Sequence, residues 1–245
     1  MPSVAVLAPM RTELAPVIRR LDLRRDRPPE PNLATWSGRC GDPQVVAAVA
    51  GVGTRHAADV AARMLALHHP EHLVIVGVAG GLAPDLVVGD LVVPAVVVDL
   101  DNGDRYDAHP LGTRTLSGEL LTSNELHGWD VLERHADAGA LAIDMETAAI
   151  AAVCEQSGVP WTAIRGLSDV VRDGTVDQST LALVREDGRT DLGGVLRHLA
   201  RHPGRVGALA AMGKDSARAT GAVADALHDA LVGGPQAGGI GADAR

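Results

Sequence analysis

Short apolar runs alternate along the chain with longer stretches whose apolar residues recur every three to four positions. Residues 4–8, 45–50, 73–78, 91–98, 141–144 and 162–167 are runs rich in Val, Ile and Leu. Runs of that length with almost no polar interruption predict strands buried on both faces. Between them, residues 12–21, 55–67, 124–136 and 145–157 place apolar side chains at helical spacing with polar residues on the opposite face, which predicts amphipathic helices. The alternation predicts a single α/β domain, residues 1–190, around a central and mostly parallel sheet. Residues 99–115 are polar and unpatterned, an exposed excursion. Residues 191–232 read as a helical extension broken at Pro203-Gly204, and the Gly/Ala-rich residues 233–245 as a disordered tail.

Several predicted strands run into turn residues: Ala8-Pro9, Gly51-Val52-Gly53, the stretch from Gly77 to Gly81, and Ser168-Asp169. Ligands of open α/β sheets bind beyond the carboxyl ends of the strands, so these four places are expected to share one site.

Composition narrows the chemistry. Among 245 residues there is no Phe and one Tyr, and Lys214 is the one lysine, in a context that is not a Walker A loop. Schiff-base and pyridoxal catalysis on a lysine is thereby set aside. Aromatics make up 2% of the chain and the net charge is −9, which argues against base stacking and against attraction to phosphate backbones, so no nucleic-acid partner is expected. Two distant cysteines, Cys40 and Cys154, suit neither a disulfide framework nor a metal knuckle. The apolar run after Met1-Pro2-Ser3 is too short for a signal sequence, and a cytoplasmic protein is expected.

Candidate motifs differ in weight. Gly51-Val52-Gly53-Thr54-Arg55-His56 resembles the start of a dinucleotide fingerprint, but His56 stands where the third glycine belongs, so no cofactor is expected. His198 and His202 lie four apart but interleave with Arg197, Arg201 and Arg205; a solvated basic stripe fits better than a metal site, and no metal is expected. No Gly-x-Ser-x-Gly elbow occurs. The carboxylates say more. Glu13 follows the first strand, Asp144-Met145-Glu146 joins a strand to a helix, and Asp169 follows Arg165-Gly166-Leu167-Ser168 at the end of another. Three acids at three strand ends can converge on a small polar ligand, although Glu13 and Glu146 could equally complement helix N-termini.

At these residues the sequence resembles the purine nucleoside phosphorylase and nucleosidase superfamily, above all its methylthioadenosine/S-adenosylhomocysteine nucleosidase branch. The resemblance is carried by Ala8-Pro9-Met10-Arg11-Thr12-Glu13, Gly51-Val52-Gly53, Val78-Ala79-Gly80-Gly81-Leu82-Ala83-Pro84 with Val88-Gly89-Asp90, Asp144-Met145-Glu146-Thr147-Ala148-Ala149, and Arg165-Gly166-Leu167-Ser168-Asp169. It implies a mixed sheet partly closed into a barrel and flanked by helices, in a homodimer or higher homo-oligomer, acting on a small purine nucleoside. It also implies catalytic roles for Asp169, as the acid that protonates N7 of the base, and Glu13, as the base that activates water. Glu146 would accept the ribose hydroxyls and Met145 would lie against the sugar. Gly80, Leu126 and His127 would meet the base, Ser168 would line the site beside Asp169, and Arg165 would sit near the attacking water or in an ion pair with Glu13 or Asp144.

Two departures qualify the resemblance. Where phosphorylases hold phosphate with arginine and serine, this chain has Ile75 and Val78, which favours water as the acceptor, although Arg11 or Arg55 could supply charge from elsewhere. Where nucleosidases stack a phenylalanine on the base, it has Leu126. The stretch 191–204, with His198 and His202, resembles the C-terminal extension of a hopanoid-associated branch that removes adenine from adenosylhopane. Three functional readings therefore stand at this point. The first is hydrolysis of a 5′-substituted adenosine. The second is adenine release from adenosylhopane, by water or phosphate, with the basic helix at a membrane surface. The third is nucleoside binding without catalysis.

Overall fold

The computed structural model describes residues 3–27, 33–125, 127–171 and 206–233. Its strands are β1 (Ser3–Ala8), β2 (Arg24–Arg25), β3 (Thr35–Arg39), β4 (Gln44–Val49), β5 (His72–Gly81), β6 (Leu91–Val92), β7 (Val96–Asp99), β8 (Arg105–Asp107), β9 (Glu119–Thr122), β10 (Ala140–Asp144) and β11 (Trp161–Val170). Its helices are α1 (Arg11–Arg20), α2 (Thr54–His68), α3 (Trp129–Asp137), α4 (Thr147–Gln156) and α5 (Val206–Val232). The strands form one mixed sheet in the order β2-β3-β4-β1-β5-β10-β9-β7-β8, with β11 on the other edge of β5 and β6 beyond it.

The central strands alternate between two cores. Ala5 and Leu7 face one side with Met64 of α2, Ile150 of α4 and Trp161. Val4, Val6 and Ala8 face the other with Leu14 and Val17 of α1 and Val223 and Leu227 of α5. Both faces are therefore covered by helices, which is why the strands read as continuous apolar runs. The terminal helix α5 is tied down further by an Arg20–Asp225 ion pair at 2.6 Å and by Arg114 Nε donating to the Ala226 carbonyl at 3.1 Å.

Four differences from the sequence reading have physical causes. The expected strand over 91–98 is two strands, β6 and β7, because the segment Val93-Pro94-Ala95 cannot continue a ladder through proline. The helix expected over 124–136 starts only at Trp129; Asn124 and its neighbours bond elsewhere. The excursion 99–115 contains β8, which pairs antiparallel with β7. Finally, no pairing among the described residues closes the sheet, so the partial barrel implied by the resemblance is replaced by an open sheet that branches at β5.

That branch matters for the site. Along one edge β5 pairs with β1 as far as Leu7↔Ile75, then with β10 from Ile143↔Gly80. Along its other edge it pairs with β11 throughout, with a register shift between Leu167 and Asp169. Residues 76–79 thus lie where β1 and β10 part, a crevice at the carboxyl end of the sheet of the kind in which α/β proteins bind ligands.

Candidate active site

Glu13 enters this crevice from the first turn of α1. It is 3% exposed, and its two oxygens are held separately: Oε2 accepts from the Met10 N–H at 2.8 Å, and Oε1 from the Val78 N–H at 2.8 Å. The first bond caps α1, as the alternative sequence reading expects; the second reaches into the gap on β5. Glu13 thus serves both as a cap and as a member of the site. Burial raises its pKa, opposed by the Val78 bond, by the positive charge of Arg165 and by the Met10 bond.

Arg165, on β11, is wholly buried. It forms an ion pair with Asp144 and donates to Thr147 Oγ1 at 2.7 Å. Of the two readings the sequence left for its ion pair, Asp144 is the direct partner, while Glu13 lies within its field. Asp144 ends β10 and takes further bonds from Thr122 Oγ1 at 2.7 Å and from the N–H and hydroxyl of Thr147. Gly77 lets Arg165 and Glu13 come together. Its φ is +154°, and a Cβ there would collide with Arg165 Nη1 and lie 2.9 Å from Glu13 Oε1 and 3.1 Å from Pro9 Cδ.

Glu146 completes the acidic group. It is 4% exposed and accepts from the Gly53 N–H at 3.0 Å. Desolvation and then repulsion from Asp144 raise its pKa well above the usual carboxylate range, against the attraction of Arg165 and the Gly53 bond. Three buried carboxylates thus surround one guanidinium, and a charge excess of that kind draws in a proton. Met145 lies between Asp144 and Glu146 in the chain and is half-buried.

Asp169 stands apart from the other acids, at the register shift of β11, paired in register with Gly80. Burial raises its pKa, and the bond from Ser168 Oγ at 2.7 Å opposes that rise. The carboxyl end of β5 is therefore flanked by Glu13 next to Gly77 and Val78, and by Asp169 next to Gly80.

Residues 123–125 follow β9 beside this crevice, with the Ser123 N–H on the Asp144 carbonyl at 3.0 Å. Ser123 donates its only proton to Asp101 Oδ1 at 3.0 Å and accepts the Glu125 N–H at 3.1 Å. The 2.8 Å contact to His127 Nε2 is then a bond donated by the ring. Leu126 lies outside the described residues, as do His198, His202 and the whole stretch 191–204.

The residues considered for phosphate are placed as follows. Ile75 is fully buried within the β1-β5-β11 ladder. The Val78 N–H is given to Glu13. Arg11 lies with its guanidinium 4.0 Å over the Trp36 ring. Among the described residues no group of three or more His, Cys, Asp or Glu is placed to hold a metal ion, and no helix is long and apolar enough to cross a membrane. Among the residues that build this candidate site, sequence reasoning left out Thr122 and quoted Thr147, Gly77 and Gly53 as motif or turn residues without a role. Thr147 directly follows Asp144-Met145-Glu146 and was the most legible of them.

An open α/β sheet with helices on both faces and buried acids at the carboxyl ends of its strands defines the general class. The chain belongs to the phosphorylase superfamily, whose family model matches residues 3–126 and 124–201. It is 29% identical over 199 residues to a 5′-methylthioadenosine/S-adenosylhomocysteine nucleosidase of Anoxybacillus flavithermus, covering 69% of this chain and 85% of that one. It is 24% identical over 198 residues to an aminodeoxyfutalosine nucleosidase of Helicobacter pylori, covering 69% and 86%. The fold matches the S-adenosylhomocysteine nucleosidase of Streptococcus pyogenes, solved with 5-methylthiotubericidin, with a TM-score of 0.71 at 20% identity over 94% of this chain and 96% of that one.

Proposed function

We propose that the protein hydrolyses the N-glycosidic bond of a 5′-substituted adenosine and releases adenine. The observation that carries this reading is the pair of acids, buried Glu13 and half-buried Asp169, on separate elements flanking the carboxyl end of β5, both with raised pKa. Cleavage of the bond builds positive charge on the ribose and negative charge on the purine. A proton must therefore be delivered to the base while a nucleophile reaches C1′. Asp169, whose pKa is raised by burial, gives a proton to N7 as the C1′–N9 electron pair moves onto the purine. Glu13 takes a proton from the water that attacks C1′. Burial raises its pKa, and the two N–H bonds and Arg165 oppose that rise by favouring the ionised, proton-accepting form. The division into one acid and one base parallels inverting glycoside hydrolysis.

Glu146, with one oxygen on the Gly53 N–H, is the acceptor for the ribose 2′ and 3′ hydroxyls, and Met145 supplies an adaptable apolar contact to the sugar. Gly80 and His127 form the base side. Water is favoured over phosphate because Ile75 is apolar and buried, the Val78 N–H is engaged, and Arg11 is stacked on Trp36. The names of the relatives, nucleosidases of 5′-substituted adenosines among them, support the same reading. Nucleoside binding without catalysis would not require an acid and a base together. The test is substitution of each: Asp169→Asn and Glu13→Gln should each lower turnover of methylthioadenosine by roughly 10²–10⁴-fold while nucleoside binding stays measurable by calorimetry. Turnover unchanged in either variant removes that residue from the mechanism.

A further inference from the structure

Helix α2 has no capping side chain of its own: its N-cap is Gly53, at φ +92°. Its first N–H groups are orphan donors that need acceptors from elsewhere. Two side chains distant in sequence supply them. Glu146 accepts the Gly53 N–H at 3.0 Å, and Asn124 Oδ1 accepts the Thr54 N–H at 3.3 Å. Asn124 is in turn fixed by Asp101, whose Oδ2 accepts the Asn124 N–H at 3.2 Å and whose Oδ1 takes the Ser123 hydroxyl at 3.0 Å. Asp101 is itself anchored at the end of β7 by its N–H on Asp99 Oδ1 at 2.9 Å. One hydrogen-bonded path therefore runs from β7 through Asp101 and Asn124 to the Gly53-Thr54 turn and ends on the carboxylate of Glu146.

We propose that Asn124, held by Asp101, is a positioning residue that sets the orientation of Glu146 through the Gly53-Thr54 turn, and so sets how strongly the site distinguishes ribose from 2′-deoxyribose. This rests on the reading of Glu146 as the ribose-hydroxyl acceptor. The physical reason is the location of the freedom. The two N–H groups flank Gly53, the backbone position with the widest conformational range in the turn. Release of the Thr54 N–H lets the Gly53 N–H rotate, and Glu146 then loses the donor that fixes one of its oxygens. Asp101 has a second effect on the same segment. By taking the Ser123 proton it leaves the Ser123 oxygen to accept from the Glu125 N–H, so the residues on either side of Asn124 are held as well.

Asn124 is exposed, so its side chain can be changed without opening a core. The experiment compares wild type, Asn124→Ala and Asn124→Asp for kcat/KM on a ribonucleoside and its 2′-deoxy analogue, with calorimetric binding of both ligands. In Asn124→Ala the ribo to deoxy preference should fall roughly three- to tenfold, about the factor attached to one hydrogen bond, with turnover of the deoxy analogue little changed. Asn124→Asp keeps an acceptor at a helix N-terminus and should restore the preference. An equal loss on both substrates, or a preference unchanged in Asn124→Ala, overturns the coupling while leaving the proposed function standing. A wild-type protein that neither binds nor cleaves nucleosides overturns the proposed function and the coupling together.

Discussion

Replacing Arg165 by methionine would remove the one cation inside a group of three buried carboxylates. The guanidinium is wholly buried, pairs directly with Asp144, donates to Thr147 Oγ1 and lies in the field of Glu13 and Glu146. Methionine fills much of the same volume, so the loss is mainly electrostatic. Removing one member of a buried ion pair costs about 3–5 kcal/mol. For a protein of this size each kcal/mol lowers Tm by roughly 2–4 °C, which gives a fall of about 6–20 °C. The pH dependence is more diagnostic. Without Arg165, Glu13 and Glu146 lose an attraction that lowers their pKa values, so their folded values rise further above those of the unfolded chain. A raised acid contributes stability that is complete below its unfolded pKa and is lost as pH rises through the folded one. The variant's deficit against wild type should therefore be smallest near pH 4–5 and grow toward pH 8. Thermal denaturation of both proteins across that range measures it. A second substitution, Asp144→Asn in the Arg165→Met background, should recover part of the loss at pH 8 because it removes one of the stranded charges. A deficit independent of pH, or no recovery, would refute the view that Arg165 is held by ionised carboxylates.

Three further outcomes follow from the same geometry. Gly77→Ala places a methyl against Arg165 Nη1 and Glu13 and should cost about 1–3 kcal/mol by overpacking, with activity lost as well; a variant matching wild type in Tm and turnover contradicts that contact. Glu146→Gln should reduce kcat/KM for a ribonucleoside roughly tenfold or more relative to its 2′-deoxy analogue, a factor set by charged hydrogen bonds, and equal losses contradict the hydroxyl role. At the opposite end of the sheet, His72 is bonded to Thr162 Oγ1 at 2.7 Å and burial lowers its pKa to about 4. The unfolded chain gains the proton first, so stability from this group is present above about pH 6.5 and is lost as pH falls toward 4. His72→Gln should accordingly flatten the acid limb of a Tm against pH curve without moving the pH profile of turnover.

Much of the site was legible because its acids fall at strand ends, where an apolar run stops and a polar residue has no core to enter. Glu13, Asp144, Glu146 and Asp169 stand at or next to such junctions, Arg165 lies within β11, and all but Asp169 belong to one buried charge group. The buried strands were equally legible, since a strand covered on both faces carries no polar alternation to obscure it. Legibility failed where pairing, not burial, makes the strand. β3 is a short Thr-Trp-Ser-Gly-Arg segment and β8 an exposed Arg-Tyr-Asp, and neither bears an apolar signature. The helical periodicity over 124–136 was misleading at its start, because Ser123 and Asn124 spend their polar groups on Asp101 and on the N-terminus of α2. Gly77 was quoted only as a turn residue; that its missing side chain is what admits Arg165 beside Glu13 depends on two strands meeting across β5, which no local pattern records.

The central claim is hydrolysis by the Glu13 and Asp169 pair, and the sugar product tests it most directly. Purified protein would be incubated with methylthioadenosine, with and without inorganic phosphate, and the products separated and identified. Equal release of adenine in both incubations, with the free 5-methylthioribose as the sugar product, is the predicted result. A sugar 1-phosphate formed only when phosphate is supplied would contradict water as the acceptor, and no release of adenine under either condition would contradict the assignment of the acid pair to this bond.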